Sequence, residues 1–408
     1  MAAYIICLTS GSGLPVFTRS VGNVKALPFP VIGSLNAVHM FSANHDATLQ
    51  STTTDDARIV WREFHNSLVL IAVMGRDGAS DDAHMGKLLD NVFHAMVLLY
   101  GLDDLVNIKN VERFKKEIRI CFQLVDTLIQ QSALTTFSDL TNAVDIMLTP
   151  DNAMLQSFLD AFVEASDSPY GCLLANGRVV VATSKWWELS STELVLLSLL
   201  MQSVPQCTSR DIPIYLPQAS PSVPHRLMTF ELIKNVDVCV ICGPSPTLAQ
   251  LTREISRFWT PAIETLKSTR QLNLRNFPLT LDMDSNVMGF LLVNTKSNRC
   301  LSSVNVNRER EDTAKFEKRR AVLRSFFKYV VGTYFSNSSI KGTEKGPSEY
   351  NHQATDTYIV CSGHKCYAHI SGNYQIFLMF SAKIPTFAMR SVCVKTLNLF
   401  IKDKNNQI

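Results

Sequence analysis

Residues 172–182 read CLLANGRVVVA. Two apolar runs flank Asn176-Gly177, and a loop of this kind closes a type I′ β-hairpin, because both central positions need positive φ and Asn and Gly tolerate it. Working outward, Ser190 and Glu193 make a capping box, and residues 194–201 behind them predict a buried helix. Strands follow over 212–216, 226–233 and 236–242. An amphipathic helix comes next, with Leu248, Leu251, Ile255, Phe258, Ala262 and Leu266 on one side, Ser245 as its expected N-cap and Pro246 at its first position. The unit is hairpin, helix, three strands, helix.

The same order occurs before and after it. In the N-terminal copy, an apolar run over 4–8, a Gly11/Gly13 turn and a strand over 16–18 precede a helix from Phe29 to Phe41. Alternating strands at 58–64 and 68–74 lead into a stripe of Leu88, Leu89, Val92, Phe93, Met96, Leu99 and Tyr100, ended by Gly101, and then a second stripe from Val111 to Leu128. In the C-terminal copy, strands at 288–294 and 300–306 are followed by a helix carrying Phe316, Arg320, Leu323, Phe327, Val330 and Tyr334 on one side. Strands at 357–361, 366–370 and 376–380 and a helical segment over 387–401 complete it. The copies share element order rather than sequence, which excludes a short-period solenoid.

This organisation predicts an α+β protein of three domains at 1–132, 169–275 and 276–408. A connector at 133–168 holds a helix over 153–165, and a Ser-, Gly-, Lys- and Glu-rich stretch at 336–355 is expected to be a mobile loop. The 408 residues exceed what one hydrophobic core usually serves, and 46% hydrophobic content supplies several. No apolar run reaches the roughly 18 residues of a membrane span, and the first residues lack the basic flank of a signal peptide, so a cytoplasmic location is expected. Ten cysteines, several inside apolar runs, read as reduced core residues, and a net charge of +3 implies no strongly charged partner for the whole chain.

The usual catalytic signatures are missing. Gly86-Lys87 is followed by Leu88 and lacks the upstream glycine and the Ser or Thr of a phosphate loop, and Gly11-Ser12-Gly13 lacks the third glycine of a dinucleotide site. There is no His-Glu-x-x-His and no Gly-x-Ser-x-Gly. Cys239 and Cys242 form a CxxC pair, but inside a strand they point to opposite faces and read as core. Cys361, His364, Cys366 and His369 offer soft ligands, but the spacing is that of a hairpin around Gly363. No catalytic residue, metal ligand or cofactor site is therefore assigned. Residues 308–328 hold eight Lys or Arg against four acids, a net of +4. Lys315, Lys318, Arg319 and Arg324 are expected to project from this helix toward a phosphoinositide membrane surface, with solvation alone as the alternative. No aromatic stacking platform accompanies the charge, which argues against nucleic acid.

Several stretches together resemble one family. Residues 27–41 (LPFPVIGSLNAVHMF), 107–116 (NIKNVERFKK), 214–217 (IYLP), 224–227 (PHRL) and 242–246 (CGPSP) are similar to the Fuzzy family of planar cell polarity effectors. The resemblance implies three longin-like domains, each a five-stranded antiparallel sheet flanked by helices. It also implies pairing with Inturned, association with a WD-repeat planar polarity effector, engagement of a Rab-like small GTPase, and work at the cytoskeleton and cilium basal body. Two roles are compatible with it: a non-enzymatic scaffold that recruits or regulates the GTPase, or direct guanine nucleotide exchange by the heterodimer. Val31, Ile32, Leu35 and Val38 of the first helix are the partner-binding residues expected from it, shared between core and interface.

Overall fold

The structure is a computed structural model. It describes residues 3–22, 27–45, 47–75, 82–131, 136–205, 207–307, 312–335, 354–402 and 408. Most of the predicted loop at 336–355, and the first four residues of the basic run, lie outside the described residues.

The N-terminal unit contributes β1 (Ala3–Thr9), β2 (Pro15–Val21), β3 (Ser51–Thr53), β4 (Ala57–Phe64) and β5 (Leu68–Gly75). A short β6 (Val144–Asp145) follows. The middle unit holds β7 (Tyr170–Ala175), β8 (Arg178–Ala182), β9 (Ser209–Leu216), β10 (Ser220–Ile233) and β11 (Val236–Cys242). The last unit holds β12 (Val287–Asn294), β13 (Arg299–Ser303), β14 (Asp356–Val360), β15 (His364–Ser371) and β16 (Tyr374–Ser381). The sheets run β2-β1-β5-β4-β3, β8-β7-β11-β10-β9 and β13-β12-β16-β15-β14, so each copy has the same strand order. Every pairing within a unit is antiparallel. The chain is thus three longin-type α+β units.

Local chemistry accounts for the element ends. Asn176 and Gly177 turn with φ of 50° and 74°, as the hairpin requires. The Ser190/Glu193 box caps the Ser191–Ser203 helix, and the buried Glu193 carboxylate also accepts from the N–H groups of Gln218 and Ala219. Gly101, at φ 91°, ends the Asp82–Tyr100 helix, and a Cβ there would lie 3.0 Å from the Tyr215 ring of the middle unit.

Four expectations need correction. The middle unit's last helix begins at Leu248 and is capped by Thr247 with Gln250, which between them form a reciprocal capping box; Ser245 is not the cap. That helix stops at Trp259, because Pro261 in the next turn has no N–H for an α-ladder, and resumes at Ile263. The second stripe of the first unit is interrupted by a 3₁₀ turn at Ile118–Cys121, which keeps Phe114, Ile118, Cys121, Val125 and Leu128 buried. Residues 136–165 are more than a connector. Their β6 pairs in parallel with edge strand β13, and Ile146 bridges to Val179 of edge strand β8, so the segment seams two sheets and makes the third six-stranded.

Burial explains the arrangement. One face of each sheet enters a common core, where Cys7, Leu70, Leu174, Cys239, Phe290 and Leu378 belong to one cluster. The opposite faces are covered separately: the Phe29–Ala43 helix lies over the first sheet, Asn152–Ala165 and Leu248–Trp259 over the second, and Thr313–Val330 over the third.

Candidate partner-binding surface

The Phe29–Ala43 helix follows Pro28 in extended conformation and carries no Asp, Glu, Lys or Arg. Ile32 is buried and Leu35 is half-buried against Tyr4, Ile6, Ile59, Trp61 and Ile71 of the first sheet. Val31 and Val38, seven residues apart, face outward with Met40, and Phe29, Val38 and Phe41 expose 71%, 52% and 65% of their surface. Of the four expected partner residues, two therefore hold the helix to its sheet and two are available. Phe29 and Phe41 are more exposed than either valine, and the missing charge over 29–43 is the signal that could have singled them out. A water-facing helix side with large apolar groups and no charge is the composition of an interface.

The corresponding helices of the other copies show what such a side packs against. In the middle unit, Ser191–Ser203 is buried against Phe122–Gln130 and Asp82–Tyr100 of the first unit. In the last unit, Thr313–Val330 is covered by the seam, whose Phe137, Leu140 and Ala143 join its apolar cluster. Both are largely covered by another part of the protein, with Tyr329 of the Thr313–Val330 helix left exposed; among the described residues the outer side of Phe29–Ala43 leaves five large apolar groups exposed, Phe29, Val31, Val38, Met40 and Phe41.

The basic helix is organised differently from expectation. Lys315 and Lys318 are exposed, with Glu317 between them, but Arg319 and Arg324 are buried. Arg319 donates to the carbonyls of Val304 (3.1 Å) and Met288 (3.5 Å). Arg324 donates to Asp139 and to the Thr136 carbonyl (3.3 Å). Residues 316, 319, 323, 324, 326, 327 and 330 form the buried side, and the two arginines are drawn in because backbone carbonyls and a carboxylate satisfy them there. The outward four-residue basic patch is thus corrected to two lysines and one acid.

Cys239 lies in the common core, opposite Cys172 on the neighbouring strand, and Cys242 lies in the cluster on the other face of the sheet. Burial pushes the Cys242 thiol up to about 11 and that of Cys366 to about 12, far from the range of a reactive thiolate. Cys361 is exposed at the hairpin end, and His369 Nδ1 sits 2.8 Å from Asp356 Oδ1. Among the described residues no cluster has the composition of a metal site, and no helix is long and apolar enough to cross a membrane.

Sequence reasoning did not find the polar contacts between units. Arg299 of β13 stacks 3.7 Å from the Trp187 ring of the middle unit, and burial lowers its guanidinium to about 10. Asp145 of the seam accepts from the Phe137 N–H at 3.1 Å, while burial pushes its carboxyl up to about 6 against the opposing charge of Arg178. Burial also lowers Lys87 of the first unit to about 8, partly offset by Asp139. The available signal was a charged residue inside an otherwise apolar strand, as at Arg178.

Comparison with known proteins gives matches along most of the chain. Residues 3–128, 166–260 and 286–404 match the families described as the first, second and third longin domains of FUZ, MON1 and HPS1. The chain is 44% identical over 414 residues to the protein fuzzy homolog of Xenopus tropicalis, covering 98% of each sequence. It is 38% identical to those of Rattus norvegicus and Homo sapiens, covering 97% of this chain and 96% of each relative.

Proposed function

This chain belongs to the Fuzzy family, and we propose that it works as a non-enzymatic scaffold subunit whose first longin unit docks a second longin protein. The partner suggested by the family is Inturned. The pair presents a composite surface to a Rab-like small GTPase and joins a WD-repeat planar polarity effector at the cilium basal body. The observation that supports this reading is the open apolar side of Phe29–Ala43, at the position where the other two units have their equivalent helix covered by protein.

Such a surface acts without catalytic side chains, since regulation of a GTPase requires only different affinities for its nucleotide states. The test is co-purification with Inturned and with the GTPase loaded with GDP, loaded with GTP, or free of nucleotide. Capture that depends on Val38 and Phe41 supports the reading, and capture unchanged by their substitution with Asp overturns it. Nucleotide release measured on the purified pair separates recruitment from direct exchange.

A further inference from the structure

In each unit a helix follows the last strand of the sheet, and in two of the three it packs against a further helix of the chain. Asp82–Tyr100 lies against Phe122–Gln130 in the first unit, and Leu248–Trp259 lies against Asn152–Ala165 in the middle unit. Neither leaves a large apolar residue exposed. The counterpart in the last unit, Met389–Ile401, buries Met389, Cys393, Leu397 and Phe400 in the common core. On its other side Val394 and Ile401 are 36% and 38% exposed, and Phe387, in the 3₁₀ turn that leads into the helix, is 88% exposed.

Spacing and charge give this side its character. Positions 387, 394 and 401 are seven apart, a step that returns to the same side of a helix within about 20° and is the repeat of a coiled-coil seam. By the same helical geometry Arg390 borders the stripe on one side and Lys395 and Lys402 border it on the other, all three exposed. Residues 381–402 add Lys383 and contain no Asp or Glu. Arg390 reaches Asp356 of β14 at 3.6 Å, so the stripe borders that edge strand. There the exposed Tyr358 lies opposite Tyr367, a residue of the common core, and therefore faces the helix side of the sheet.

A second helix satisfies both features: its apolar stripe covers 387, 394 and 401 at their own repeat, and carboxylates along its flanks meet the basic residues on either side. A further helix is also what covers the equivalent element in the other two units. An anionic lipid surface fits less well, because Val394 and Ile401 show little more than a third of their surface and Asp356 lies beside Arg390. We infer that the outer side of Met389–Ile401, with Phe387, docks an amphipathic helix of a partner protein whose apolar stripe is flanked by Asp or Glu. This seam lies on a different unit from the Phe29–Ala43 surface, so either can fail without the other.

Fluorescence anisotropy of the full chain tests this with a labelled helical peptide of about three heptads, Leu at its a and d positions and Glu at e and g, against the same peptide with Lys at e and g. The Glu peptide is expected to bind, to weaken as salt is raised, and to bind at least about tenfold more tightly than the Lys peptide. Phe387→Ser with Val394→Glu should weaken it about tenfold or more while circular dichroism and thermal unfolding stay as in the parent. Lys395→Glu with Lys402→Glu, at exposed positions, should invert the preference toward the Lys peptide. Val38→Asp with Phe41→Asp should leave binding unchanged. The proposal is overturned if neither peptide binds, if both bind alike, if the seam substitutions leave binding intact, or if the first-unit pair is what abolishes it. Phosphatidylserine vesicles captured through Lys395 and Lys402 without any binding of the Glu peptide would assign this side to a membrane and overturn it as well.

Discussion

Arg324 and Asp139 pair within the protein, each only 8% exposed, with the guanidinium donating to both carboxylate oxygens. One residue lies on the last unit's first helix and the other in the seam 185 positions earlier, so the pair ties two distant stretches together. Removing either partner leaves a buried charge without its counterpart. Arg324→Ala or Asp139→Ala should each cost about 3–5 kcal/mol in urea denaturation, while joint replacement by Met and Leu should cost much less. Single losses below about 1 kcal/mol would mean that Lys87 or water takes over.

The apolar side of the first helix should be separable from stability. Val38→Asp with Phe41→Asp changes exposed positions and should shift folding by no more than about 0.5 kcal/mol each, while abolishing partner capture. Point substitution is required here because the first unit shares the common core, so its deletion would expose that core. A variant that loses capture only by unfolding would fail this expectation.

Cys239→Ala and Cys242→Ala remove small buried groups from opposite faces of β11. Each should destabilise by about 1–2 kcal/mol, and the effects should add because the two side chains share no contact surface. Partner capture at permissive temperature and bound zinc, measured by atomic absorption, should stay as in the parent protein. Loss of stoichiometric zinc in either variant would restore the metal reading.

Stability should depend on pH through Asp145 and Asp237, whose carboxyls burial pushes up to about 6, the latter helped by Glu231. Their pKa in the folded state lies above the unfolded value of about 4, so between these values the native protein holds more protons than the unfolded chain. Their contribution therefore falls as pH rises from about 4 to about 6 and is lowest above that. Asp145→Asn and Asp237→Asn should each flatten this part of the profile in unfolding measured across pH. A variant profile parallel to that of the parent would show that neither group titrates there.

Much of the fold was legible in local pattern. The Asn176-Gly177 turn, the Ser190/Glu193 box and the apolar stripes each act within a few residues, and together they specified hairpin, helix, three strands and helix in the middle and last copies and all but one strand of the first. The fifth strand of the first unit, Ser51–Thr53, escaped notice because three polar residues on an edge leave no alternation to read. The seam escaped for a related reason: a two-residue strand has no periodicity, and its partners lie more than 150 residues away in β13.

The candidate surface divided along the same line. That the stretch from Phe29 to Phe41 forms a helix with too many apolar groups for one buried side follows from its residues alone, as does the diverging pair Cys239 and Cys242. Which apolar groups stay in water was decided by the tertiary structure, which covers the equivalent helices of the other two units and leaves this side open. The basic helix shows the limit most clearly. Charge density along residues 315–324 was readable, but the direction of each arginine depended on the carbonyls of Val304 and Thr136 and on the carboxylate of Asp139. Burying a guanidinium is favourable only where such partners wait, and they are brought there by chain segments far away in sequence.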